Sequence, residues 1–143
     1  MTAIEHLAPT VVVDVANVMG ARADGWWRDR AGAALRLSRS VTALAERGVP
    51  ASRMPSGWGA PAGWVLVLEG QARAAAASLT DVPPQVRVVT AAGSGDDAIV
   101  AEVASLEAAG APSLVVTADR ELRQRCVAIG AGVAGPAWLI ELL

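Results

Sequence analysis

Lysine is missing from this chain: all 12 of its basic residues are arginine. Arginine is the better bidentate phosphate ligand, although an Ala-, Val- and Arg-rich composition also follows from GC-rich coding. Against 14 acidic residues the net charge is −2 and the pI near 5.3. No bulk charge therefore draws the chain to nucleic acid or to an anionic membrane, and any such binding has to come from a local patch. Cysteine occurs once, at Cys126, which excludes an intramolecular disulfide and a cysteine-based zinc site. It falls in a helical segment and is expected to be a buried, inert thiol. No stretch approaches the roughly 18 apolar residues that a membrane span needs. The opening "MTAIEHLAPT" has neither a basic start nor a long apolar run, unlike a signal peptide. These absences predict a soluble, cytoplasmic protein that makes no membrane contact.

What is present is a chain of 143 residues, 53% hydrophobic, long enough for one domain (1–143) with a substantial core. Four nearly continuous β-branched runs stand out: "TVVVDVA" (10–16), "WVLVLEG" (64–70), "VRVVTA" (86–91) and "SLVVTAD" (113–119). Such runs suit strands buried on both faces of a parallel sheet. Segments of helical character lie between them, at about 25–48, 71–79, 94–109 and 119–129. A weak fifth strand at "GVAG" (132–135) and a final helix in "PAWLIELL" complete the pattern. Strand alternating with helix predicts an α/β sandwich with a mainly parallel sheet.

On the helix over 25–48, Ala34, Leu37, Val41 and Leu44 share a face with Trp27, while Arg28, Arg36, Arg39 and Arg47 gather opposite. Asp29 and Glu46 dilute that charge, so a solvated face explains the arginines better than an RNA-contacting stripe. The connection "GVPASRMPSGWGAPAG" (48–63) is long for a compact domain. Trp58 at its centre is suited either to stacking on a base or, with more weight, to packing the loop down.

The acids have a common address. Asp14 ends the first apolar run, with Asn17 just beyond; Asp119 ends "SLVVTAD"; Asp96 and Asp97 open the helix after the third run. In a parallel sheet all of these fall on the carboxyl edge, where ligands bind at a reversal of strand order. Two unit charges 4 Å apart repel by about 1 kcal/mol in water and about 4 kcal/mol at an effective dielectric of 20. A divalent cation turns that repulsion into ligation. Magnesium takes one or two carboxylates and keeps water for phosphate oxygens, and manganese accepts the same donors. The chemistry expected is metal-assisted attack of water on a phosphodiester.

Each acid also has a structural explanation. Ser94 and Asp97 fit a capping box, Asp96 would face a helix dipole, and Asp119 could cap "RELRQRC". Asp96, however, shares a wheel face with Ile99, Val103 and Leu106, which points it toward the sheet. Asp14 is hardest to explain without a partner, because an acid ending a buried strand is costly.

"VVVDVANVMG", "GSGDDAIVAEV" and "LVVTADRELRQR" resemble the three signature stretches of NYN-domain proteins in the PIN-like nuclease superfamily: D-x-x-N after the first strand, an acidic pair opening a central helix, and T/S-x-D-x-x-L after the next strand. The resemblance runs from about Val11 to the C-terminus. It implies a three-layer α/β/α fold and a magnesium- or manganese-dependent ribonuclease acting on single-stranded RNA. By the same resemblance Asp14, Asp96, Asp97 and Asp119 are the metal ligands, and Asn17 orients a ligand or phosphate. Arg120 or Arg123 is a candidate to neutralise a substrate phosphate, with a solvent-exposed position the simpler description. Two departures stand out. Arg123 occupies a position where some relatives carry a further acid, leaving Glu121 as the nearest substitute, and Val15 stands where relatives often have glycine.

Other enzyme classes fit worse. A haloacid-dehalogenase-type phosphatase needs a second Asp two residues after the first, where this chain has Ala16. The helical pyrophosphohydrolases need E-x-x-E pairs in an all-α pattern. No G-x-G-x-x-G follows the first strand, and "GAGVAG" near the end lies in the wrong context for a dinucleotide site. The serious rival is a PIN-like module that binds RNA or a protein partner and hydrolyses little. The sequence leaves open whether the chain self-associates.

Overall fold

A computed structural model of the chain describes residues 7–143; the first six residues of "MTAIEHLAPT" lie outside the described part. Five parallel strands form one sheet: β1 (Thr10–Asp14), β2 (Gly63–Leu68), β3 (Val86–Thr90), β4 (Ser113–Val116) and β5 (Gly132–Ala134), in the order β3-β2-β1-β4-β5. The first, second and fourth are buried almost throughout, as strands covered on both faces must be. The helices are α1 (Val15–Gly20), α2 (Arg30–Arg47), α3 (Gly95–Ala108), α4 (Arg120–Ala128) and α5 (Pro136–Ile140). Among the described residues no helix is long and apolar enough to cross a membrane.

Alternation along the strands sorts the core into two layers. Val11, Val13, Leu66, Leu68, Leu114 and Val116 face α1, α2 and α5. Val12, Val65, Val67 and Val115 face Ile99 and Val103 of α3 and Leu122 and Cys126 of α4. The result is the expected three-layer α/β/α sandwich. The chain covers one face while it builds β1, β2 and β3, then crosses to the other for α3 and α4. Strand order therefore reverses beside β1, and the carboxyl ends of β1 and β4 flank the crevice that such a reversal opens.

Local chemistry fixes the boundaries. The first strand stops at Asp14, not at residue 16, because the Asp14 carboxylate accepts from the Asn17 N–H at 3.4 Å and starts α1 there. The long helix begins at Arg30, capped by Asp29 through the Gly32 N–H at 2.9 Å. Gly25, at φ 75, turns the chain into a separate 3-10 helix over Trp26–Arg28, a left-handed conformation that glycine adopts readily. Trp27 is consequently 57% exposed and does not share the buried face of Ala34, Leu37, Val41 and Leu44. The segment expected as a helix at 71–79 is a 3-10 helix over Gly70–Ser78. Trp58 pairs its backbone with Leu7 and lays its ring against Gly132, at the amino end of the sheet. The loop is packed down there, at the opposite edge from the acids.

Candidate functional site at the carboxyl edge

Asp14 is the centre of the crevice. It is 5% exposed; one carboxylate oxygen accepts from the Thr117 hydroxyl at 2.9 Å and the other from the Asn17 N–H. Even so its pKa is raised from 3.8 to about 6. Burial is the largest cause; the two hydrogen bonds oppose it, and the charges of Glu69 and Asp96 add to it. Asn17 ties the two sides of the crevice together, its side-chain oxygen accepting from the Ala118 N–H at 2.9 Å. Thr117, also fully buried, both donates to Asp14 and accepts from the Asp119 N–H at 3.2 Å.

Asp119 caps α4 by accepting from the Leu122 N–H at 3.0 Å. Asp96 points inward, as the helical wheel requires. Its pKa is raised first by burial, then by the charges of Asp119, Glu69 and Glu121, against a lowering by Arg125. Asp96 is therefore within electrostatic reach of Asp14, Glu69 and Asp119, and Glu69 is within reach of Asp14. Asp97 is placed differently. Its N–H donates to the Ser94 hydroxyl at 3.1 Å, while its carboxylate, 73% exposed, pairs with Arg125 at 2.9 Å. The acidic pair is thus divided between an inward Asp96 and an outward Asp97.

Three residues of this edge escape a reading of the acid motifs. Glu69 follows β2 as Asp14 ends β1, and accepts from the Gly95 N–H at 2.7 Å, holding the first turn of α3. A Cβ at residue 95 would stand 2.5–2.9 Å from that carboxylate, so a larger residue there would push the Glu69 side chain off the Gly95 N–H. The signal was an acid closing the buried run "WVLVL", the same signal that singled out Asp14. Thr117 lies inside the T-x-D stretch. Arg125, not Arg120 or Arg123, is the cation beside the acidic pair. Arg120 is exposed, and Arg123 lines a separate apolar hollow with Val127 and Val133.

Among the described residues no three Asp, Glu, His or Cys side chains form a ready-made cation cage. The donors here are all hard oxygens, and no protein hydrogen bond is made by the Asp96 carboxylate among the described residues. That chemistry fits a cation held by one or two carboxylates and otherwise by water, which is how magnesium is usually bound. A cleft of about 480 Å³ opens beside Glu69, walled by Ala16 and Met19 of α1, by Arg30, and by Gly93. Comparison with protein-family models, with curated proteins and with solved structures finds no match.

Proposed function

We propose that the chain is a divalent-metal-dependent nuclease of the PIN-like kind, hydrolysing phosphodiester bonds in single-stranded RNA. One observation carries this reading: a carboxylate, Asp14, stands at the strand-order reversal with its pKa lifted first by burial and further by the charges of Glu69 and Asp96, an arrangement that costs stability unless a cation or a proton arrives. Magnesium or manganese, when bound, would supply charge for the phosphate oxygens and an acidified water. Asp14 and Asp96 would hold it, with Asp119 and Glu69 meeting its water shell. Thr117 and Asn17 orient the site: the Thr117 hydroxyl fixes the Asp14 carboxylate and Asn17 locks the turn that carries Asp119. Asp96, whose carboxylate makes no protein hydrogen bond among the described residues, or Asp119, which uses one oxygen on the Leu122 N–H, would accept a proton from the attacking water.

The test is cleavage of a labelled single-stranded RNA in manganese or magnesium, with EDTA stopping it and Asp14→Asn abolishing it. Metal-dependent cutting that survives Asp14→Asn unchanged would rule the site out. Arg123, which stands where some relatives carry a further acid, favours a second reading, a PIN-like module that binds RNA or a protein partner without hydrolysis. Retained RNA binding with no cleavage in either metal would select it.

A further inference from the structure

We infer that Trp27 and Arg30, with Trp26 and Arg28, form a stacking platform for a base of a single-stranded nucleic acid, and that it leads the strand into the cleft beside Glu69. The inference rests on the nuclease reading for the direction of the strand but not for its binding.

Trp26 and Trp27 meet edge to face, with centroids 6.0 Å apart and planes at 89°. The Arg28 guanidinium lies 5.7 Å from the Trp27 centroid and that of Arg30 lies 5.2 Å from the Trp26 centroid. Among the described residues neither arginine pairs with a carboxylate. Asp24 is engaged with Arg36 at 3.5 Å and Asp29 as the cap of α2. Arg28 over the Trp27 ring and Arg30 over the Trp26 ring are left without a carboxylate partner, and Trp27 is 57% exposed. Aromatic faces interleaved with arginine bind single strands, the rings stacking on bases and the cations meeting phosphates. Such a group suits one strand better than a duplex, whose bases are not open to stacking.

Position completes the argument. Arg30 and Glu69 line the same cleft, and the 3-10 helix that carries both tryptophans packs on α1, the helix that starts at Asp14. A strand with one base on Trp27 and a phosphate at Arg30 would run past Ala16 and Met19 to Glu69, whose charge acts on Asp14 and Asp96. In a chain of net charge −2, this is the local patch that nucleic-acid binding would require.

The experiment measures binding of fluorescein-labelled oligouridylate and oligothymidylate of about 12 nucleotides to the full chain in EDTA. Trp27→Ala and Arg30→Ala are each expected to weaken binding about tenfold, with Trp27→Phe restoring most of the loss. The more tightly bound of the two strands identifies RNA or DNA as the source. An abasic strand of equal length should bind without regard to Trp27, and a Trp27 dependence that survives removal of the bases overturns the proposal. So does unchanged affinity in Trp27→Ala, including the case where that variant instead disrupts self-association. If the chain cuts no RNA in manganese yet binds it through Trp27, the nuclease reading falls and the platform stands. If cutting is normal and Trp27→Ala leaves KM unchanged, the platform falls alone.

Discussion

At the scale of single residues, Asp14 carries an unusual cost. Its folded pKa of about 6 exceeds the ordinary carboxylate value of 3.8, so between those values the folded chain holds more protons than the unfolded one. Stability contributed by this group is therefore gained as pH falls from about 6 toward 4 and lost as pH rises through that window. A shift of this size corresponds to about 2 to 3 kcal/mol of destabilisation above pH 7 in the metal-free protein. Asp96, also raised, acts in the same direction. Asp14→Asn removes the charge and keeps an oxygen for the Thr117 hydroxyl. In EDTA at pH 7.5 that variant should melt higher than the native chain, and should lose most of the native chain's gain in melting temperature between pH 7.5 and pH 5. A lower melting temperature would mean that the ionised carboxylate is a structural asset, and the case for a site would weaken. The same substitution should remove cleavage, so stability and activity should move in opposite directions, as at many functional sites.

At the scale of elements, the first turn of α3 joins the two halves of the site. Ser94 caps it from within the chain, and Glu69 reaches its first N–H from the end of β2. Glu69→Ala should cost about 1 to 2 kcal/mol by removing a charged acceptor from the helix start, read as a shift in the urea midpoint. Gly95→Ala should cost no more than that, because its Cβ displaces the flexible Glu69 carboxylate while alanine favours the helix. The divided acidic pair makes a sharper forecast. Asp96→Asn should lower cleavage at least about a hundredfold, the loss expected of ligand-shell residues. Asp97→Ala should lower it only a few-fold, because the Asp97 carboxylate faces solvent and Arg125. Equal losses in the two variants would show that Asp97 turns inward when substrate and metal bind.

These elements also show what could be read without coordinates. The run Val11–Val13 is β-branched and uninterrupted, so the central strand and the acid that ends it were plain, as was the inward face of Asp96 shared with Ile99 and Val103. Helix α1 was hidden because Val15 and Val18 look like strand residues, and only the Asp14 cap reveals the turn. Trp27 was misassigned because a helical wheel assumes continuity, which the left-handed Gly25 and the Asp29 cap interrupt. The Arg125–Asp97 pair and the Glu69 cap were illegible for another reason. Both join residues 26 or more positions apart, and no periodicity within one element carries that information.

For the whole molecule, the strand order concentrates charge where the layers diverge. Helices from opposite faces, α1 on one and α3 and α4 on the other, all begin at the edge flanking Asp14, and each first turn brings an acid there as its cap or near it. Asp96 in the first turn of α3 is thereby opposed by Asp14, the cap of α1, and by Asp119, the cap of α4. A dication binding the folded chain alone adds RT ln(1 + [L]/Kd), about 2.7 kcal/mol at a hundred times Kd. For a chain of this size that is a rise in melting temperature of about 5 to 10 °C. Manganese should produce such a rise at pH 7.5, a smaller one at pH 5 where protons compete for Asp14, and almost none in Asp14→Asn. Glu107→Gln, in a carboxylate held by Ser113 at 2.9 Å away from the crevice, should keep the full shift. The Asp14→Asn variant separates this cause from general ionic effects, because screening of surface charge would stabilise it as much as the native chain.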